Sequence, residues 1–182
     1  MRGNGRCRRA RCHVMTPEDL QTLIARGVKL VTAESCTGGL VAAALSDHPG
    51  SSAVLMGWLV TYSNDAKQAL LGVRAETLST HGAVSEECAW EMAIGALRAL
   101  PQANLSVAIT GIAGPGGSDY KPEGRVCFAL ARRDGVHEDA HAQTIDFGAL
   151  GREQVRFAAR DHALRLCLAG EIRHDLDLKP YC

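Results

Sequence analysis

The sequence predicts a three-layer α/β single domain: a mostly parallel sheet with one antiparallel hairpin, and helices on both faces. Three observations lead there. An apolar, β-branched run from Lys29 to Ala33 meets a small polar cluster and two glycines, Glu34-Ser35-Cys36-Thr37-Gly38-Gly39, after which Leu40 to Leu45 reads as a helix. That is strand, tight turn, helix. Further apolar runs of strand length alternate with helical patterns, as βαβ units do, and Asp134-Gly135 between two strand-like runs marks a hairpin turn.

In chain order, Thr16-Pro17-Glu18-Asp19 is a helix start, with a Thr cap, Pro in the first turn and acids near the dipole's positive end. Leu20, Leu23 and Ile24 give that helix an apolar face, and Gly27 stops it before a strand at 28–33. After the helix beginning at Leu40, the breaker run 47–52 precedes a buried strand from Val54 to Thr61. Ser63 or Asn64 can cap a helix through Leu71, with Gly72 ending it. A short segment from Ala75 to Thr80 follows, and Ser85 caps a helix over 86–100 that Pro101 closes. Leu105 to Thr110 reads as a central strand opening into a glycine-rich loop, Gly111 to Gly117. Arg125 to Ala131 and 140–147 are the hairpin strands, and Gly148 to Leu168 is the last long helix.

At 182 residues the chain has the length of one well-buried core. Residues 1–14, with five arginines, are expected to form a basic, disordered arm; 15–169 form the domain; 170–182 form a tail. Twenty basic and twenty acidic residues balance, so the chain carries no global electrostatic footprint for nucleic acid, and such a partner is not expected. Hydrophobic residues make up 46% and aromatics only 4%, which suits close helix-on-sheet packing. The seven cysteines show no C-x-x-C pair and no signal peptide is recognisable; the thiols are expected to be reduced, with Cys88, Cys127 and Cys167 as small core hydrophobes, in a cytoplasmic protein. No apolar run approaches the ~20 residues of a membrane span.

Ligands of open α/β sheets bind beyond the carboxyl ends of the strands. Ser35, Tyr62 and Thr110 fall at such positions. A serine at the turn before a helix N-terminus either lies beside a bound anion or acts as a nucleophile, and a nucleophile needs a base. None of the seven histidines sits in a recognisable catalytic context, and His162 reads as structural. Lys67, five residues past Tyr62 on the next helix, is the alternative: a lysine kept neutral by burial. Glu34 can orient a base, bind a ribose hydroxyl or cap the following helix. The loop from Gly111 lacks the spacing of a Walker or dinucleotide loop, though its backbone is open to phosphate. No metal-ligand spacing is visible.

Four stretches, Thr32-Ala33-Glu34-Ser35-Cys36-Thr37-Gly38-Gly39, Val60-Thr61-Tyr62-Ser63-Asn64, His81-Gly82-Ala83-Val84-Ser85, and Thr110-Gly111-Ile112-Ala113-Gly114-Pro115 through Lys121-Pro122-Glu123-Gly124, occur in that order. Together they closely resemble the CinA C-terminal-domain family, over about Thr16 to Leu168. The resemblance implies a nicotinamide-nucleotide amidase in its stand-alone form. Such an enzyme hydrolyses nicotinamide mononucleotide to nicotinic acid mononucleotide and ammonia in pyridine-nucleotide salvage. It further implies Ser35 as nucleophile, Lys67 as base and later acid, and Tyr62 as a supporting hydrogen-bond partner. Glu34, Thr37, Gly38, Gly39, Thr110, Gly111, Ile112, Arg152 and Arg156 become the expected substrate contacts. No cofactor or metal is implied, and a homo-oligomer is. A different class of function fits the same pocket without turnover: a nucleotide-binding or competence- and damage-associated interaction protein. Retention of Ser35, Tyr62 and Lys67 together favours the enzyme.

Overall fold

The computed structural model describes residues 15–170. The expected arm at 1–14 and residues 171–182 of the expected tail lie outside the described residues. The elements are α1 (Pro17–Ala25), β1 (Leu30–Glu34), α2 (Leu40–Ser46), β2 (Leu55–Val60), α3 (Asn64–Leu71), α4 (Ala75–Thr80), α5 (Glu86–Ala99), β3 (Leu105–Gly111), β4 (Arg125–Asp134), β5 (His137–Asp146) and α6 (Arg152–Ala169). A single 3-10 turn at Ser51–Ala53, absent from the sequence reading, leads into β2.

One five-stranded sheet in the order β2-β1-β3-β4-β5 forms the middle layer. β2, β1 and β3 are parallel, while β4 and β5 are the antiparallel hairpin. The period of two along each strand divides the core. Leu30, Leu105, Val107, Ile109, Val126, Phe128 and Leu130 face α1, α2 and α6, packing on Leu20, Leu23, Val41, Leu45, Val155 and Leu164. Val31, Ala33, Ala108, Cys127, Ala129 and Ala131 face the other side, against Cys88, Ala89, Met92, Ala93 and Ala96 of α5. This second interface is made of small residues and is correspondingly tight. A Cβ at Gly95 would stand 1.9 Å from the Leu71 carbonyl oxygen at the end of α3.

Local signals behave as the sequence suggests at α1, where Thr16 and Asp19 form a reciprocal capping box, and at α3, capped by Ser63 and ended by Gly72. Several boundaries shift: β4 runs on to Asp134 rather than ending at Ala131, β5 begins at His137 rather than 140, and the buried strand expected from Val54 to Thr61 is a half-exposed one, Leu55–Val60, because it lies at the edge of the sheet. Two further shifts have a local cause. The hairpin turn is Gly135-Val136, one residue later than Asp134-Gly135, because Asp134 still pairs with His137. Gly135, at φ +60°, supplies the left-handed first turn position. Helix α6 begins at Arg152 rather than Gly148, since Gly148 and Gly151 both hold positive φ and cannot continue a helix. Among the described residues no helix is long and apolar enough to cross a membrane.

A candidate active site at the end of the first strand

β1 lies between β2 and β3, so its carboxyl end is flanked by the segments that leave both neighbours. Ser35 is the first residue beyond it. The Ser35 N–H continues the ladder to Ile109 O at 2.9 Å, and the Ser35 carbonyl accepts the Gly38 N–H at 3.0 Å, closing the turn. Gly38 and Gly39 take φ of +63° and +97°, conformations an L side chain rarely adopts. The turn holds Ser35 nearly buried, 8% exposed.

Lys67 reaches this turn from α3. Its Nζ lies 3.0 Å from Ser35 Oγ, 2.8 Å from Thr61 O and 3.4 Å from Tyr62 O. The side chain is 1% exposed. Burial pulls its pKa below the ordinary lysine value, with the thiols of Cys88 and Cys36 as weaker, opposing influences. The oxygens around Nζ suit a neutral amine. The two carbonyls can only accept, and they take its two N–H groups; the Ser35 hydroxyl can donate to the remaining lone pair. In the ammonium form all three oxygens accept instead. Cys36, adjacent to the serine, is no competing nucleophile, because burial pushes its thiol up to about 12.

Glu34, expected among the substrate contacts, is built into the fold. It is 0% exposed, and both carboxylate oxygens are occupied. Oε2 accepts the N–H groups of Gly39 and Val41 at 2.9 and 3.2 Å, and Oε1 accepts those of Ala42 at 3.0 Å and the Thr32 hydroxyl at 3.0 Å. It therefore caps α2, whose N-cap position is a glycine with no side chain to do so. Of the roles the sequence left open, the cap is the one its hydrogen bonds show.

The other expected contacts divide. Tyr62 is 61% exposed, and its hydroxyl accepts from Arg152 Nη2 at 2.8 Å; it is the Tyr62 carbonyl, not the phenol, that meets Lys67. Arg152 also donates to Gly114 O at 2.9 Å. Arg156, one turn along α6, is half-buried and grips the serine turn itself, donating to Cys36 O at 3.1 Å and Thr37 O at 3.0 Å. Thr37 is buried with its hydroxyl unpartnered. Thr110 is likewise buried and donates to Ala83 O at 2.7 Å, fixing the loop before α5. Gly111 stands where a Cβ would meet Val126 Cγ2 at 2.7 Å, and Ile112 donates its N–H to Arg125 O. These two belong to the β3–β4 pairing. Two features escaped the sequence reading: the Thr61 carbonyl as a partner of the lysine, and the Tyr62–Arg152 bond. Backbone acceptors and bonds between residues 90 apart leave no local signal.

His162 is buried between Phe128 and Phe147, with ring centroids at 4.6 and 6.4 Å, and its Nε2 lies 2.6 Å from the Gln143 amide. Burial lowers its pKa to about 4. Cys88, Cys127 and Cys167 are core residues. Among the described residues no three His, Cys, Asp or Glu side chains are grouped to hold a metal ion.

The chain is thus a three-layer α/β domain with a serine at the carboxyl end of a central strand and a buried lysine against its hydroxyl. The CinA C-terminal domain model matches residues 15–169, and the chain belongs to that family. It is 57% identical over 119 residues to the nicotinamide-nucleotide amidohydrolase PncC of Escherichia coli strain K12, covering 64% of this chain and 72% of that protein. It is 48% identical over 154 residues to a CinA-like protein of Mycolicibacterium gilvum, covering 84% of this chain but 36% of the relative. The chain thus spans about a third of the length of such CinA-like relatives. Among solved structures, the competence/damage inducible protein CihA of Agrobacterium tumefaciens superposes with a TM-score of 0.76 at 46% identity, over 84% of this chain and 93% of that one.

Proposed function

We propose that the chain is an amidohydrolase acting on nicotinamide mononucleotide, releasing nicotinic acid mononucleotide and ammonia. The observation that carries the proposal is the 3.0 Å approach of a buried, low-pKa lysine to the Ser35 hydroxyl. The similarity to PncC of E. coli supports the choice of substrate.

In the proposed reaction Ser35 Oγ attacks the carboxamide carbon while its proton passes to the neutral Lys67 Nζ. The tetrahedral intermediate collapses by breaking the C–N bond, and the Lys67 ammonium returns that proton to the leaving nitrogen, giving ammonia and a seryl ester. Water, deprotonated by the same amine, then hydrolyses the ester and restores Ser35. The developing oxyanion calls for preorganised N–H donors. Those of Gly38, Gly39 and Ile112 are already bonded to Ser35 O, Glu34 and Arg125 O, whereas the N–H groups of Cys36 and Thr37, earlier in the turn, face the Cys36 thiol, a weak acceptor that an oxyanion displaces, and the role is assigned to them. Arg152 is exposed and holds only a phenol and one carbonyl, neutral partners that a phosphate displaces through stronger, charge-assisted bonds. Arg156 is assigned to the turn rather than to phosphate.

The test is direct. Purified protein incubated with nicotinamide mononucleotide should release ammonia and nicotinic acid mononucleotide in equal amounts. Binding of the nucleotide without product would overturn the enzymatic reading.

A further inference from the structure

Lys121-Pro122-Glu123-Gly124 is one of the stretches that mark the family, yet the proposed chemistry assigns it nothing. Its bonds run along the rim of the site. Lys121 Nζ donates to the carbonyls of His81 and Val84, tying the loop after β3 to the loop before α5. Glu123 ties the same loop to the start of α6: Oε2 accepts the Gly116 N–H at 2.6 Å and Oε1 accepts the Gly151 N–H at 3.0 Å. The contact is close enough to exclude side chains. A Cβ at Gly114 would lie 2.4 Å from Glu123 Cδ, and one at Gly124 would lie 2.0 Å from Gly148 O. Phe147 N–H, donating to Gly124 O at 2.9 Å, closes the junction.

Arg152 follows Gly151 directly and donates to Gly114 O, so Glu123 and Arg152 hold one loop from one helix start. The other arm of Arg152 reaches the Tyr62 hydroxyl. Tyr62 follows β2 and Gly114 follows β3, and β1, which carries Ser35 at its end, lies between them. The arginine therefore bridges the two flanks of the nucleophile.

We propose that Glu123 is the positioning residue for Arg152: its carboxylate fixes the first turn of α6 against the loop after β3, and so sets where the guanidinium meets an anionic group of the substrate. A carboxylate suits the task because two N–H groups from separate segments each receive a full acceptor. A glutamine offers one oxygen and turns its NH₂ toward the other N–H; an aspartate is a methylene too short to span both. The inference rests on the amidase reading. Glu123 touches no reacting atom.

The experiment compares wild type, Glu123→Gln, Arg152→Ala and the double variant on nicotinamide mononucleotide and on the phosphate-free nucleoside, nicotinamide riboside. Glu123→Gln should raise KM for the nucleotide on the order of tenfold and leave kcat and its pH profile within about threefold, with KM for the riboside little changed. In the Arg152→Ala background it should add less than about twofold, because both changes remove one interaction. Equal losses on the two substrates, a fall confined to kcat, or additivity in the double variant would overturn the proposal. If Glu123→Gln does not fold, Glu123→Asp is read the same way. Amide hydrogen exchange supplies a second readout: at least one of Gly116 and Gly151 should lose protection in the variant, and retained protection at both refutes the clasp. That readout stands even if wild type hydrolyses no nucleotide, an outcome that would defeat the amidase reading instead.

Discussion

Replacing Lys67 by Met separates the proposed chemical role of this amine from its structural one. Methionine keeps the unbranched stem and most of the volume while removing the nitrogen. With the base gone, Ser35 must lose its proton to water, and the rate should fall by roughly 10²–10⁴, about 2.7–5.4 kcal/mol of transition-state stabilisation. Stability should move far less. The buried Thr61 carbonyl loses its 2.8 Å donor, a penalty of about 1–3 kcal/mol, but the fold no longer carries an amine that is 1% exposed and costly to charge. The two effects oppose each other. The net change should be within about 2 kcal/mol, a few degrees in Tm for a domain of this size.

The pH dependence adds a sign. Because burial lowers the Lys67 pKa in the native state, the native protein binds fewer protons than the unfolded chain between that lowered value and the ordinary 10.5. Its contribution to stability therefore rises with pH across that window and is at its most unfavourable below the lowered value, where both states are charged. Activity rises over the acid side of the same window as the amine becomes neutral. Ammonia release from pH 5 to 10, and urea unfolding from pH 7 to 10, above the range in which His162 contributes, should show both limbs in wild type and neither in Lys67→Met. A variant that keeps more than a tenth of the rate, or that retains the pH limb, would refute the assignment of Lys67 as base.

Ser35→Ala should lose at least about 10³ in rate while melting within a few degrees of wild type, because the hydroxyl's single bond is to a lysine that keeps two carbonyl partners; turnover within tenfold of wild type would point to another nucleophile. His162, with its pKa lowered to about 4 from 6.5, should make wild type lose roughly 3 kcal/mol as pH falls from 6.5 toward 4, since the unfolded chain takes up the proton first. His162→Gln should flatten that slope in urea titrations at pH 7 and 4.5. Gly95→Ala should destabilise by about 3 kcal/mol or more, because its Cβ meets the backbone oxygen of Leu71 at 1.9 Å rather than a side chain that can turn away; an unchanged Tm would mean that α3 and α5 separate easily.

The parts of the site legible in the sequence are those that the parallel sheet makes local. Ser35 and Lys67 lie 32 residues apart, one strand–helix–strand unit plus a turn of α3, and residues just past adjacent parallel strands share one edge of the sheet. What stayed illegible depends on α6, whose Arg152 reaches Tyr62 across 90 residues and whose Arg156 reaches Cys36 across 120. Helical spacing shows which arginines share a face, not which strand end they meet. The reading of Glu34 turned on a finer point. Its neighbour in sequence is Ser35, the proposed nucleophile, and a carboxylate there could have faced Lys67. Strand alternation forbids it: Thr32 and Glu34 share the face covered by α2, whereas Val31 and Ala33 face the side packed by Leu71 of α3 and by α5. The single-residue step from Ala33 to Glu34 thus delivers the negative charge to the N-terminus of α2 and leaves Lys67 to approach Ser35 from the other face. A carboxylate beside that amine would have held it as an ammonium, and the lysine could then anchor a ligand but not take a proton.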